Sequence, residues 1–197
     1  MISDMADVLH MLFGSSLRVR LLRLFLFHQH HSFTAGEAAQ RTRARLPQVK
    51  KELLLLERAH ILFSDGKRGK TQQFRVNRES EYLEPLENLV LDAPLHGQEI
   101  ADRLKGVGVL KLIMTSGVFL KNSEAALDLL VVGDRIDDRK LSERMRAFEA
   151  EIGKELRYAY LSTGEFYYRL NMNDRLIRDI LDFPHQVVLD RLEMGLE

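Results

Sequence analysis

Basic side chains in the first half of the chain form two groups whose chemistry suits binding to a polyanion. The first group contains four cations and one amide, at Arg43, Arg45, Gln48, Lys50 and Lys51. The second group is a glycine-bounded turn that contains Lys67, Arg68 and Lys70. Lysine and arginine neutralise phosphates and displace their counterions, which supplies much of the affinity of a protein for DNA. We therefore predict that these eight residues bind DNA.

Charge is distributed unequally along the 197 residues. The whole chain has 29 basic and 29 acidic side chains, but residues 1–80 have 14 basic against 7 acidic ones, a net charge of +7. Residues 81–197 have 15 basic and 22 acidic side chains and a net charge of −7. This asymmetry favours a first half that meets a polyanion, although two solvated surfaces of different charge would produce the same numbers.

Three predicted helices position the first basic group. Apolar residues at helical spacing predict a helix that begins after Gly14-Ser15-Ser16 and ends near residues 28–32. Thr34 to Glu37 matches a capping box at the start of a short second helix. Pro47 suits the first turn of a third helix. Its predicted buried stripe is Val49, Leu53 and Leu56, broadened by Leu54 and Leu55.

Two short strands, Ile61–Phe63 and Gln73–Val76, follow the helices and flank the second basic group. Three helices and a β-hairpin with a basic tip are the order of a winged helix-turn-helix, whose last helix enters the major groove at its N-terminal end. Residues 1–79 are therefore predicted to be a winged-helix DNA-binding domain. Because winged helices also bind proteins, a pure protein-interaction module stays as an alternative.

Composition excludes several classes of chemistry. The chain has no cysteine, so disulfides, thiol catalysis and cysteine-ligated zinc are excluded. The cluster His28, His30 and His31 has no neighbouring carboxylate to complete a metal site, and we expect no metal. No apolar stretch approaches the ~20 residues of a membrane span, and the chain does not begin with a signal-peptide pattern. We expect a cytoplasmic protein without membrane contact.

Residues 80–96 are predicted to be a connecting helix, Ser80–Leu91, and a linker that breaks the helical pattern. Helices and strands are predicted to alternate along residues 97–197. The predicted helices include Gln98–Lys105, Arg139–Ile152 and two short helices near the end, and the predicted strands are Val109–Met114, Leu127–Val132, Leu156–Leu161 and Gln186–Leu189. The alternation predicts an α/β domain with a central mixed sheet, and an α+β class for the whole chain.

Two segments of this second half, Val109–Gly117 and Leu127–Asp134, resemble the minimal nucleotidyltransferase domain of the DNA polymerase beta superfamily. In that family one strand ends in a Gly-Ser turn, and the next strand has Asp-x-Asp followed by aliphatic residues. The resemblance continues to Thr163-Gly-Glu-Phe166 and covers most of residues 98–190. The whole chain is similar to proteins that have a winged helix ahead of such a domain.

The resemblance implies a site around Asp128 that lacks part of its catalytic set. Aspartates at i and i+2 of a strand share a face and together hold the metal ions that neutralise phosphates. Ala126 stands where the first aspartate is expected, and Thr115-Ser116-Gly117 replaces the Gly-Ser turn. We expect no catalysis and no cofactor, and a vestigial nucleotide site of Ser116, Lys121 and Asp128. Alternatively, Asp128 hydrogen-bonds its own loop and stabilises the turn.

The residues together favour a DNA-binding transcriptional regulator, with a homodimer as the default because palindromic half-sites match two-fold symmetry. Its second domain is expected to sense a small molecule or nucleotide, to mediate oligomerisation, or to dock a partner protein. The alternative is an active nucleotidyltransferase that the winged helix directs to its target. That reading requires a metal site in which Glu124 or Glu155 joins Asp128.

Overall fold

The structure is a computed structural model that describes residues 5–65, 71–91, 97–122 and 124–195. Within these ranges the chain has a three-stranded antiparallel sheet and a four-stranded mixed sheet. The predicted α+β class, with a mixed sheet, is therefore confirmed. The chain divides into two compact units, Met1–Ala93 with Ala147–Lys154, and Pro94–Arg146 with Glu155–Glu197.

Five helices belong to the described part of the first unit, and two of them begin at residues whose side chains cap them. They are α1 (Met5–Phe13), α2 (Ser16–Phe27), α3 (Ala35–Arg41), α4 (Leu46–Arg58) and α5 (Leu83–Leu91). The Ser15 hydroxyl accepts a hydrogen bond from the N–H of Arg18 and caps α2, and Thr34 forms the predicted capping box with Glu37 at α3. The predicted starts of α2 and α3 are confirmed. Helix α1 was not predicted.

The first sheet has the strand order β1-β3-β2, formed by β1 (Phe33–Thr34), β2 (Leu62–Ser64) and β3 (Gln73–Val76). The side chains of Phe74 and Val76 are buried in the core of this unit. Phe63 pairs with Arg75 in the neighbouring strand, and both side chains are exposed, because alternate residues of a strand point to opposite faces. The predicted basic tip, with Lys67, Arg68 and Lys70, lies outside the described residues.

Helix α4 packs through a narrower stripe than the sequence suggested. Val49, Leu53 and Leu56 are buried as predicted, but Leu54 is 44% exposed and Leu55 is 38% exposed. The broadened stripe was therefore wrong. A helix turns by about 100° per residue, so Leu54 and Leu55 fall on the flanks opposite the buried side.

Residues 147–154 belong to the first unit although they lie far along the chain. The buried Arg23 of α2 donates from Nε to the carbonyl oxygen of Val90 at 3.2 Å and from Nη1 to the carbonyl oxygen of Glu151 at 3.0 Å. Both carbonyls lie in the last turns of helices, where backbone oxygens have no partner in the helix itself. Arg23 therefore satisfies the ends of two helices at once.

The second unit alternates helices and strands. Its elements are α6 (Gly97–Leu104), β4 (Val109–Thr115), a 3-10 turn (Gly117–Leu120), β5 (Leu129–Asp134), α7 (Asp138–Ile152, whose last residues count with the first unit), β6 (Tyr158–Leu161), α8 (Thr163–Asn171), α9 (Arg175–Asp182) and β7 (Gln186–Asp190). The sheet order is β6-β5-β4-β7, in which β5 and β6 are parallel and the other pairs are antiparallel.

The central strands of this sheet are buried on both faces. Leu112, Met114, Leu130 and Val132 pack with side chains of α8 and α9. Ile113 and Val131 alternate with them, point to the opposite face and are also fully buried. This two-sided burial explains the apolar runs Leu112–Met114 of β4 and Leu129–Val132 of β5. Among the described residues, every helix is too short or too polar to cross a membrane.

Candidate functional site

The first candidate surface is the N-terminal half of α4 together with the turn before it. Arg43, Arg45, Gln48, Lys50 and Lys51 are all exposed. Gln48 and Lys51 lie three residues apart and therefore share one side of the helix. Within the described part of the chain, Arg45, Lys50 and Lys51 make no ion pair. We call these five residues the α4 basic surface.

Two arginines of α2 hold this surface in place. Arg20 donates from Nη1 to the carbonyl oxygen of Thr42 at 2.8 Å, and the buried Thr42 hydroxyl donates to the carbonyl oxygen of Ala38 at 2.6 Å. Burial lowers the pKa of Arg20, and the negative charge of Glu151 works against that shift. These bonds fix the turn in which Arg43 adopts a left-handed backbone conformation, with φ of 51°.

The second arginine, Arg18, fixes the rotation of α4. Its Nε donates to Glu52 Oε2 at 2.8 Å, in an ion pair whose side chains are only 23% and 14% exposed. Because Glu52 lies on the flank of α4, the pair turns the basic side of that helix outward. The sequence analysis missed the roles of Arg18 and Arg20, since their partners are 34 and 22 residues away along the chain.

The second candidate site surrounds Asp128, which the structure places just before β5. The strand was predicted over 127–132 but begins at Leu129, so the expected position of Asp128 on a strand is wrong. The Asp128 side chain is fully buried. Its Oδ1 accepts from the N–H of Val118 at 2.8 Å and from Arg157 Nη2 at 3.0 Å, and its Oδ2 accepts from the N–H of Arg157 at 2.8 Å and from Nε at 3.2 Å.

Ser116 belongs to the same buried cluster. Its N–H donates to the carbonyl oxygen of Asp128 at 2.9 Å, and its hydroxyl donates to the carbonyl oxygen of Pro184 at 2.6 Å. A Cβ at Gly117 would lie 2.0 Å from Asp128 Oδ1, so only glycine fits there. Lys121 is exposed and ends the 3-10 turn. The structure therefore brings Ser116 and Asp128 together, with their polar atoms turned towards the protein itself.

The electrostatics of the Asp128 cluster favour the charged carboxylate. Burial alone raises the pKa of Asp128, but the hydrogen bonds from the Arg157 side chain and from two backbone N–H groups outweigh it. The net effect holds the pKa below its ordinary value. The carboxylate thus joins Val118 of the 3-10 turn to Arg157, the residue directly before β6.

The acidic residues proposed to complete a metal site differ from Asp128 in their surroundings. Glu124 and Glu155 are exposed, whereas the Asp128 carboxylate is buried with donors at both oxygens. Among the residues that the structure describes, no group of three His, Asp or Glu side chains is arranged to hold a metal ion. The geometry of Asp128 supports the stabilising role that the sequence left open.

The contribution of Asp128 to stability is expected to disappear in acid. Its folded pKa lies below the unfolded value, so its contribution is complete above the ordinary aspartate pKa of about 3.9 and is lost as the pH falls through the lower, folded pKa. The measurement is the difference in unfolding free energy between the native protein and Asp128→Asn, from urea titrations at successive pH values. A difference that stays constant through the acid range would contradict this prediction.

No protein-family model, curated protein or solved structure matches this chain.

Proposed function

We propose that this protein is a DNA-binding transcriptional regulator in which residues 1–79 form a winged-helix domain. The observation that carries the proposal is the α4 basic surface, which is exposed at the N-terminal end of the helix that would enter the major groove. The element order is consistent with it, because α2, α3 and α4 precede the antiparallel pair of β2 and β3. The net charge of +7 over residues 1–80 supplies the attraction for DNA phosphates.

We further propose that the second unit is a nucleotidyltransferase-like domain without catalysis. Strands β4 and β5 lie within the two segments of the resemblance, and they pair so that Thr115 lies opposite Leu129. This register makes Ser116 and Asp128 neighbours, which is consistent with their proposed place in one vestigial site. The Asp128 oxygens are engaged by Arg157 and Val118, which favours a domain without metal-dependent transfer.

The first experiment is capture of fragmented genomic DNA by the purified full chain at moderate and at high salt, followed by sequencing. A regulator retains a few fragments that share a half-site at both salt concentrations, because base contacts persist where phosphate contacts weaken. Absence of enrichment at both concentrations would overturn the proposal.

Replacement of both Arg45 and Lys51 by glutamine is expected to weaken DNA binding and to reduce its dependence on salt. Each lost phosphate contact lowers the slope of log K against log salt by about 0.9, so the slope should fall by about 1.8. Fluorescence anisotropy with a labelled duplex from the captured set, at several salt concentrations, measures both quantities.

The matched control is the double variant Arg139→Gln and Arg144→Gln, which removes the same charge from exposed positions of α7 in the second unit. It should bind DNA with the native slope. If both double variants lose affinity equally, the effect is one of net charge and the α4 basic surface is not the binding surface.

A protein-binding winged helix is the second candidate, and one observation favours it. The C-terminal half of α4 exposes Leu54 and Leu55, and apolar side chains on an exposed helix face suit a protein partner better than phosphates. A double variant with Leu54 and Leu55 replaced by glutamine separates the two candidates. If α4 binds DNA, this variant keeps the native DNA affinity. If the native protein itself has no DNA affinity, the result supports a protein partner.

A further inference from the structure

A cavity of about 470 Å³ opens beside the three-stranded sheet of the first unit. Its lining comes from three parts of the chain: the turn before β1, the neighbouring strands β2 and β3, and the residues directly after β3. The lining side chains that matter chemically are His30, Ser32, Phe63, Arg75, Arg78 and Glu79. We call this the hairpin cavity. None of the five residues of the α4 basic surface lines it.

The register of the sheet places two of these side chains together. Phe63 and Arg75 are cross-strand partners on the exposed face, and the Arg75 guanidinium lies 5.3 Å from the centre of the Phe63 ring. This stacking orients the planar guanidinium and leaves its N–H edges available for an acceptor. Burial of Phe74 and Val76 on the opposite face anchors the strand beneath it.

The charges around the cavity are incompletely neutralised. Arg75 approaches Asp65 only at 4.0 Å, with side chains 54% and 56% exposed, and such an exposed pair contributes little. Arg78 makes no ion pair with any residue that the structure describes. The cavity is lined by the guanidinium groups of Arg75 and Arg78 and by the carboxylate of Glu79. This balance suits a ligand with a single anionic group.

We propose that the hairpin cavity binds a small organic oxyanion, a carboxylate or a phosphate ester, through Arg75 and Arg78. Guanidinium groups match the paired oxygens of both anions. His30 and Ser32 offer further hydrogen-bonding groups. The volume lies within the range of small-molecule sites and greatly exceeds what an inorganic ion fills, so the organic part of the ligand packs beside Phe63. The site is independent of the proposed DNA binding.

The test is isothermal titration of the full chain with phenyl phosphate, benzoate and uncharged phenol at constant ionic strength and without DNA. Saturable binding of either anion, with phenol inactive, is the expected result, and the preferred anion identifies the oxyanion class. Arg78→Gln should weaken binding about tenfold, and the double variant Arg75→Gln with Arg78→Gln should weaken it about a hundredfold, as expected for the loss of one and two charge-assisted contacts.

The matched control is Arg45→Gln with Lys51→Gln, which removes the same charge from the same unit and should bind the anions as the native protein does. Three results would overturn the proposal: neither anion binds, both double variants lose affinity equally, or the cavity double variant loses DNA affinity as strongly as the α4 variant. The last result would assign Arg75 and Arg78 to the DNA backbone. Failure of DNA capture alone affects only the proposed function, because this titration contains no DNA.

Discussion

Replacement of Asp128 by alanine is expected to lower the free energy of unfolding by about 3–5 kcal/mol. The variant leaves the N–H groups of Val118 and Arg157 without their acceptor and removes both contacts to the Arg157 side chain. Buried backbone donors that lose a partner are destabilising by about 1–3 kcal/mol each. Urea unfolding followed by circular dichroism at neutral pH measures the change.

Arg157→Gln provides the control, because it removes the other half of the same ion pair. The Arg157 side chain is 42% exposed, so solvent screens its charge, and the buried carboxylate keeps two backbone donors in this variant. We expect a loss of only about 1–2 kcal/mol. Equal losses in the two variants would show that the ion pair, rather than the backbone hydrogen bonds, is the stabilising interaction.

Replacement of Gly153 by alanine is expected to destabilise the first unit by about 2–5 kcal/mol. Gly153 has a φ of +85°, and a Cβ there would lie 2.5 Å from the backbone nitrogen of Leu24 and 2.6 Å from the carbonyl carbon of Arg23. Backbone atoms in the middle of a helix do not move aside as a side-chain end does. Thermal and urea unfolding of the full chain measure the effect.

Gly106→Ala separates the two causes of that loss. Gly106 has nearly the same φ, +81°, but a Cβ there meets nothing within 4 Å. This variant should therefore lose only the conformational part, about 1–2 kcal/mol. If Gly106→Ala lowers the free energy of unfolding as much as Gly153→Ala does, the clash of the new Cβ with α2 contributes nothing to the loss. The explanation given for Gly153 would then be wrong.

Local pattern was sufficient to predict most of the elements. The capping groups at Ser15 and Thr34 and the proline at position 47 mark helix starts through contacts within one turn, so they can be read from a few neighbouring letters. The strand at 73–76 alternates buried and exposed residues, which is the signature of a sheet with one wet face.

Errors arose where the relevant contact is distant. Residues 127–132 are an almost unbroken apolar run, and such a run does not say where the strand begins. Strand β1 has only two residues, and its existence depends on pairing with β3 some forty residues later. The role of Asp128 likewise depends on Val118 and Arg157, and neither residue shows in its own surroundings that it will donate to a carboxylate.

Of the candidate sites, one could be predicted from local sequence pattern and one could not. Exposure of the helical part of the α4 basic surface, Gln48, Lys50 and Lys51, follows from helical periodicity and was predictable from the buried stripe of the helix. The hairpin cavity was not foreseen, because its residues come from the turn before β1 and from both strands of the hairpin. Only the register of β2 against β3 places Phe63 opposite Arg75.

The discontinuity of the first unit has a consequence for biosynthesis. Arg23 is synthesised before residues 94–146, but the Glu151 carbonyl that it binds is made only after those residues have been translated. At the usual rate of elongation, roughly 5–20 residues per second, this interval lasts several seconds. During that time the Arg23 guanidinium of the nascent first unit has not yet met the Glu151 carbonyl oxygen. Its folding on the ribosome therefore cannot finish before residues 147–154 have been synthesised.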